Sequence, residues 1–134
     1  MTAYLDANVV VYLIEQPPRL GAMALGVVNG YYRQGHSLAV SHLVRLECVV
    51  APLSKGNQRL VQMYDALLAS DGVQVLDCPP DAFDRAASIR AHLGIPTIDA
   101  LHLAIAIVGG CDRFITNDAK LRRVADIEVE LLEP

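Results

Sequence analysis

Apolar residues along this chain form short β-branched runs that alternate with longer segments of helical spacing. The short runs predict five strands, Ala3–Leu5, Ser37–Val40, Val73–Leu76, Arg113–Thr116 and Ile127–Leu131. The longer segments predict helices over Asn8–Glu15, Gly21–Gln34, Ser41 to about Ala51, Asn57–Ser70, Pro79–Gly94 and Pro96–Gly109. Proline and glycine bound these helices, because proline disrupts a helix interior and glycine readily adopts the left-handed conformation that ends one.

Strands that alternate with helices are typical of an α/β protein with a mainly parallel sheet. Right-handed crossover connections would cover both faces of that sheet with helices. In such folds ligands bind beyond the carboxyl ends of the strands. The carboxyl edge of the sheet is therefore where candidate functional residues are expected.

Length and composition predict a single domain spanning residues 1–134. Hydrophobic residues make up 53% of the chain and the mean hydropathy is +0.33, so we expect apolar surface that contacts a second copy or another protein. The sequence contains no recognisable signal peptide or membrane span, and Cys48, Cys78 and Cys111 form no CxxC pair. These features predict a cytoplasmic protein without a disulfide framework and without a membrane partner.

Two acidic residues follow predicted strands. Asp6 comes directly after the first strand, and Asp118 lies two residues beyond the end of the fourth. Both would lie at the carboxyl edge of a parallel sheet. Each also leads into helical residues, where aspartate is a favoured N-cap, so a purely capping role is the alternative for each.

Two further acidic residues occupy helical positions among apolar neighbours. The residues three and four positions from Glu47 are all apolar, which predicts a buried carboxylate that needs a partner, a proton or a metal ion. An ion pair with an arginine or a neutral glutamate is the alternative. Asp99 lies in the first turn of its helix, where the helix dipole alone would favour a negative charge. His102, one turn later, is spaced to hydrogen-bond to Asp99, but such a histidine is more often a satisfied core or rim residue, and it is not counted as a ligand.

All four acids converge on one crevice if the sheet forms as predicted. Clustered carboxylates repel one another unless a cation neutralises them, and oxygen ligands without Cys or His favour Mg²⁺ or Mn²⁺. Such an ion supports hydrolysis of phosphodiester bonds. The net charge of −4 agrees, because without these four acids the acidic and basic residues would be equal in number.

With these residues the sequence resembles the PIN-domain ribonucleases, and in particular the VapC-like toxins of type II toxin–antitoxin modules. The resemblance covers essentially the whole chain and rests on Leu5–Asn8 with Tyr12, Glu47, Ile98–Ala104 and Phe114–Asp118. It implies a Rossmann-like α/β/α sandwich and a Mg²⁺- or Mn²⁺-dependent endoribonuclease. It also implies a homodimer that is inhibited by a cognate antitoxin protein.

The resemblance further implies which residues carry the reaction. The catalytic metal ligands would be Asp6, Glu47, Asp99 and Asp118, and the supporting hydrogen bonds would come from Asn8, Thr116 and Asn117. Some relatives carry a further acid where this chain has Asn117. The expected reaction is in-line attack of water on an RNA phosphodiester, with Glu47 orienting or deprotonating the water. Basic residues should meet the RNA phosphates at the rim, and the candidates are Arg19, Lys120, Arg122 and Arg123.

Three alternatives remain open at this stage. The first is a catalytically silent PIN-like module that binds RNA or protein without cutting. The second is a phosphatase of the haloacid dehalogenase type, which also has an aspartate after its first strand but requires a second one where this chain has Asn8. The third is a purely structural dimerisation module, which leaves Glu47 unexplained.

Overall fold

Five parallel strands form one sheet in the computed structural model, which describes residues 1–133. The strands are β1 (Thr2–Leu5), β2 (Ser37–Ser41), β3 (Val73–Leu76), β4 (Arg113–Thr116) and β5 (Glu128–Leu131). Their order across the sheet is β3-β2-β1-β4-β5, so the chain extends the sheet first on one side of β1 and then on the other. The predicted α/β class with a parallel five-stranded sheet is confirmed.

Helices connect the strands and cover both faces of the sheet. They are α1 (Ala7–Glu15), α2 (Leu20–Arg33), α3 (His42–Ser54), α4 (Gln58–Leu68), α5 (Pro80–Leu93) and α6 (Thr97–Val108), and a 3₁₀ helix (Ala119–Arg123) follows β4. The consecutive residues Ala3, Tyr4 and Leu5 of β1 are all fully buried. Because successive side chains of a strand point to opposite faces, both faces must be covered, as in an α/β/α sandwich.

Helix α6 is apolar on nearly every side beyond its first turn. Leu103, Ala104 and Ile105 are successive residues, yet all three are buried. A helix that is hydrophobic all round belongs in the interior of the protein. The first turn of α6, with Asp99, is thereby held against the sheet. Among residues 1–133, no helix is both long enough and apolar enough to cross a membrane.

Helix α3 is longer than the sequence predicts. It passes through Pro52 and ends at Ser54, whereas the proline was expected to end it at Ala51. Proline lacks an N–H group but keeps its carbonyl, and the carbonyl of Pro52 accepts a hydrogen bond from Asn57 N at 2.8 Å. Ala51 O accepts from Lys55 N at 3.1 Å in the same way. A proline this close to the end of α3 therefore leaves these carbonyl groups of the last turn hydrogen-bonded.

The buried position of α6 predicts a large loss of stability when its packing is reduced. Leu103→Ala should lower the free energy of unfolding by about 2–5 kcal/mol, because it leaves a cavity in a closely packed core. Leu25→Ala on α2 is the matched control, since Leu25 is 43% exposed and its truncation should cost less than about 1 kcal/mol. Urea denaturation measures both values. Equal losses in the two variants would contradict this description of the core.

Candidate active site

The reversal of strand order between β1 and β4 creates the crevice in which the acids meet. Tyr4 pairs with Phe114 and Leu5 with Ile115 in the parallel register of these two strands. The backbone N–H of Asp6 continues the ladder by donating to Ile115 O at 2.9 Å. Asp6 is thus held where β1 ends, beside the end of β4, at the place where open α/β sheets bind their ligands.

The hydroxyl group of Thr116 joins the ends of the two strands. It donates to Asp6 Oδ2 at 2.7 Å and accepts from the backbone N–H of Asp118 at 3.1 Å. The side-chain amide of Asn8 also approaches it, with Nδ2 at 3.4 Å from Oγ1. Thr116 is fully buried, so these bonds are formed away from bulk solvent. One hydroxyl therefore fixes Asp6 relative to Asp118.

Asn8 and Asn117 extend this arrangement outward. Asn8 Oδ1 accepts from the backbone N–H of Asn117 at 3.3 Å, and Asn117 Nδ2 donates to Glu133 Oε1 at 2.9 Å. Arg19 forms an ion pair with the same Glu133 carboxylate. Glu133 of the C-terminal segment therefore places a carboxylate next to Asn117, the position at which some relatives carry an acid.

Glu47 reaches the crevice from α3 and hydrogen-bonds to His102. Oε1 of Glu47 contacts His102 Nε2, and His102 Nδ1 lies 2.8 Å from the hydroxyl oxygen of Tyr4. Tyr4 in turn bonds to Ser41 Oγ at 2.7 Å. His102, Tyr4 and Ser41 are buried, and their hydrogen bonds connect β1, β2 and α6 to α3.

Asp99 completes the acidic cluster from the first turn of α6. Burial raises the pKa of Asp99, and the negative charges of Asp6, Asp118 and Glu47 raise it further, while His102 lowers it. Burial likewise raises the pKa of Asp6, and this is opposed by His102 and by hydrogen bonds from Thr116 and Ala7. The four acids therefore interact electrostatically as a group. Ligand atoms of Asp6, Glu47 and His102 lie within 4.8 Å of one another, whereas those of Asp99 and Asp118 are outside this group. Because both nitrogens of His102 are hydrogen-bonded, the Asp6 and Glu47 carboxylates are the pair placed to share one cation.

A family model for the PIN domain matches residues 3–127, nearly the whole chain. The chain belongs to the PIN domain family. No curated protein sequence matches it at a significant level.

Solved structures of similar fold include toxin–antitoxin proteins. VapBC2 from Rickettsia felis, bound to a DNA fragment from its promoter, matches with a TM-score of 0.80 and 20% identity over 98% of each chain. DNA-bound VapBC from Salmonella typhimurium gives 0.78 and 19%, again over 98% of each chain. VapC20 of Mycobacterium tuberculosis, a toxin that cleaves the sarcin–ricin loop, gives 0.66 and 15% over 84% of this chain and 86% of that one. At these identities the likeness establishes the fold of this PIN domain.

The expected burial of Glu47 is wrong in this PIN domain, and the arginine ion pair considered as an alternative does not form. The side chain of Glu47 is 38% exposed, because α3 turns part of its apolar stripe outward, including Val50 at 58% exposure. Its partner is His102 and not an arginine, and Arg45 instead pairs with Asp65 on α4 at 2.6 Å. An apolar surrounding in sequence therefore does not make this carboxylate buried.

Two polar side chains beside the crevice are hydrogen-bonded to Tyr4. His102 is a satisfied core residue, the role favoured for it from the sequence, and its ring nitrogens contact Tyr4 and Glu47 and not Asp99. Ser41 occupies the N-cap position of α3 but makes no side-chain cap bond, because its hydroxyl bonds to Tyr4. Tyr4 was not singled out, although a tyrosine in a buried strand needs a hydrogen-bond partner.

Capping contributes at both strand ends, as the alternative interpretation held. Asp6 Oδ1 accepts from the N–H of Ala7 at 2.8 Å, and Asp118 Oδ1 accepts from that of Lys120 at 3.0 Å. Capping does not account for the second oxygen of Asp6, which Thr116 holds. Each aspartate therefore follows a strand and caps the helix that comes next, and Asp6 in addition bonds to Thr116 at the crevice.

The candidate basic residues are divided between two regions of the PIN domain. The backbone N–H of Lys120 donates to the Asp118 carboxylate. Arg19 forms an ion pair with Glu133, which also accepts a hydrogen bond from Asn117. Arg122 is exposed on the 3₁₀ helix. Arg123 instead lines an open groove of about 740 Å³ beside α5, together with Arg85 and Asp126. Of the four candidates, Lys120 and Arg19 are therefore the two whose hydrogen bonds link them to residues at the carboxyl edge of the sheet.

Repulsion within the acidic cluster predicts that Asp99→Asn stabilises the metal-free protein. A carboxyl group whose pKa is raised by folding favours the folded state at low pH, and this contribution is lost as the pH rises above the unfolded value near 4. At pH 7 the variant should melt higher than the wild type, by no more than a few degrees because solvent screens this partly exposed group. At pH 3 the two proteins should melt together.

Thermal unfolding in a chelator, followed by circular dichroism across this pH range, measures the effect. Asp84→Asn is the control, because Asp84 is exposed on α5 and its neutralisation should change the melting temperature little. Adding Mg²⁺ should stabilise the wild type more than Asp99→Asn. A variant that melts below the wild type at pH 7 would contradict the assignment of repulsion to this site.

Proposed function

We propose that this PIN domain is a divalent-metal-dependent endoribonuclease and the toxin of a toxin–antitoxin pair. The observation that carries the proposal is the closeness of the Asp6 and Glu47 carboxylates, whose ligand atoms lie within 4.8 Å of each other at the carboxyl edge of the sheet. The charges of Asp6, Asp118 and Glu47 also raise the pKa of Asp99, which supports a cluster of four acids drawn from different parts of the chain. The free energy of packing must offset the repulsion between these like charges. Such a cost at one place in the fold indicates that the charges serve a function.

The donor set fits a hard divalent cation. Asp6, Glu47, Asp99 and Asp118 supply carboxylate oxygens, which suit Mg²⁺ or Mn²⁺. Thr116, Ala7 and Lys120 orient two of the carboxylates through hydrogen bonds, as the surroundings of metal ligands commonly do. The four acids would hold the ion or ions. When bound, such an ion polarises a phosphoryl oxygen and lowers the pKa of water.

The side chains divide the remaining tasks of hydrolysis. Asp6 is buried and fixed by two hydrogen bonds, which suits an anchoring role. Glu47 is the more exposed acid and is held at one oxygen by His102, so its second oxygen is suited to orient a water molecule and accept its proton. Attack of that water on phosphorus breaks the bond to the 3′ oxygen and leaves a 5′-phosphate and a 3′-hydroxyl.

Basic residues at the rim would compensate for the acidic crevice when RNA approaches. Lys120 is exposed on the first turn of the 3₁₀ helix and follows Asp118 by two residues. Arg19 is exposed beside the C-terminal segment. We assign phosphate contacts to these two first, and to Arg122 on the exposed side of the same 3₁₀ helix.

Apolar surface and the solved relatives support protein partners. Leu46, Val50 and Leu53 of α3 are each more than half exposed, which is costly for a chain that functions without a partner. Similar folds come from VapBC complexes of Rickettsia felis and Salmonella typhimurium. We therefore propose that this domain forms a homodimer and binds an antitoxin.

Asp6→Asn tests the catalytic proposal most directly. The amide oxygen still accepts a hydrogen bond, so the fold should persist, but the loss of one negative ligand should reduce RNA cleavage by about 100-fold or more. Cleavage of a labelled RNA with Mg²⁺ or Mn²⁺ measures it, and a chelator should abolish wild-type activity. Asp81→Asn on α5 is the matched control and should cleave at the wild-type rate.

Two outcomes would contradict the proposal. Undiminished cleavage by Asp6→Asn would exclude this carboxylate as a ligand needed for the reaction. RNA binding by the wild type without cleavage, in the presence of either ion, would instead support the catalytically silent alternative.

Lys120→Ala tests the assignment of phosphate contacts. In an Asp6→Asn background, which prevents cleavage, it should weaken RNA binding at all sequences and reduce the slope of log Kd against log salt concentration by about 0.7. Arg33→Ala is the control, because Arg33 ends α2 at the opposite, amino edge of the sheet and should leave the slope unchanged. Fluorescence anisotropy over a salt series measures both. Identical slopes in all three proteins would exclude Lys120 from the RNA contact.

A further inference from the structure

A histidine lies fully buried at the inner wall of the crevice, with both ring nitrogens hydrogen-bonded. His102 has no exposed surface, and α6 holds it among apolar residues. Its Nδ1 contacts the Tyr4 hydroxyl at 2.8 Å and its Nε2 contacts Glu47. A polar ring at this depth is stable only when both nitrogens are satisfied.

The hydrogen bonds that link Ser41, Tyr4, His102 and Glu47 can all be donated in the same direction, toward Glu47. Ser41 Oγ lies 2.7 Å from the Tyr4 oxygen and can donate to it, which leaves the single Tyr4 proton for His102 Nδ1. The ring then donates from Nε2 to the Glu47 carboxylate. Tyr4 and Ser41 therefore favour the arrangement of ring protons that binds Glu47.

Glu47 is the acid that requires such a partner. Asp6 and Asp118 are oriented by backbone N–H groups at the ends of their own strands. Glu47 extends from the middle of α3 on three rotatable bonds, and its side chain is 38% exposed. Its carboxylate is brought to within 4.8 Å of the Asp6 ligand atoms while bonded to His102.

We propose that His102 is a positioning residue that holds the Glu47 carboxylate beside Asp6, with Tyr4 and Ser41 setting its tautomer. This inference rests on the proposed function, because it assigns Glu47 to the binding of the divalent ion. His102 acts through Glu47 and contacts neither the ion nor the RNA. The hydrogen-bond chain therefore determines how well the cation site is formed before an ion binds.

Calorimetric titration with Mn²⁺ alone, combined with steady-state RNA cleavage, tests the proposal. The variants are His102→Ala, which removes the donor, His102→Gln, which keeps an amide donor, and Tyr4→Phe, which keeps the ring stacked on Phe114 and loses only the hydroxyl. Tyr64→Phe is the matched control, because it removes a buried tyrosine hydroxyl bonded to Glu15, outside the site. Circular dichroism and the melting temperature report whether each variant folds.

A positioning role gives a graded pattern. His102→Ala should weaken Mn²⁺ binding by about 10-fold or more and lower kcat by a similar factor with little change in KM for RNA. Tyr4→Phe should lose about 3-fold in Mn²⁺ affinity through the less constrained tautomer, and His102→Gln should recover most of the affinity that His102→Ala loses. Tyr64→Phe should have the Mn²⁺ affinity and the kcat of the wild type. If His102→Ala does not fold, the graded losses in Tyr4→Phe and His102→Gln decide the question.

The contrary outcomes are distinct from failure of the proposed function. Folded His102 and Tyr4 variants with wild-type Mn²⁺ affinity and kcat would overturn the inference and leave the nuclease proposal standing. Nitrogen coupling in the Mn²⁺ electron paramagnetic resonance spectrum, lost in His102→Gln, would also overturn it, because His102 would then be a direct ligand. A wild type that binds Mn²⁺ with the predicted variant pattern but cleaves no RNA would refute the proposed function alone.

Discussion

Mutual repulsion of carboxylates at the carboxyl edge of the sheet is the constraint that the rest of this PIN domain accommodates. Burial and three neighbouring negative charges all raise the pKa of Asp99, so the cluster opposes its own ionisation. Oriented dipoles stabilise the carboxylates, since the groups that bond to Asp6 and Asp118 are a hydroxyl and backbone N–H groups. These donors fix the carboxylates without neutralising them. The negative potential that remains would attract a divalent cation, as the proposed function requires.

Such an arrangement depends on the packing of the whole domain. The four acids come from the ends of β1 and β4, the middle of α3 and the first turn of α6. No local segment of the chain holds more than one of them. Their relative positions follow from the parallel register of Tyr4 with Phe114 and from the burial of α6, which has almost no freedom to shift in a closely packed core. The cost of gathering like charges is therefore distributed over the entire hydrophobic core.

Sequence patterns could predict the parts of the site that follow from chain direction alone. Asp6 and Asp118 come after β1 and β4, and parallel strands place their carboxyl ends on one edge. The first-turn position of Asp99 follows equally from Pro96 and the start of α6. The partner of Glu47 could not be predicted in this way, because Tyr4, Ser41 and His102 are far apart in sequence and only the three-dimensional packing of β1, β2 and α6 brings them together.

The two sides of the crevice are consequently held by different kinds of bond. On the strand side, Asp6 is tied to backbone groups and to the buried Thr116, which itself belongs to β4, so its geometry is as rigid as the sheet. On the helix side, Glu47 depends on a chain of side chains that crosses two strands and a helix. Loss of any bond in that series would loosen the Glu47 carboxylate to some degree. The position of Glu47 is therefore more sensitive than that of Asp6 to small shifts of α3 against the sheet.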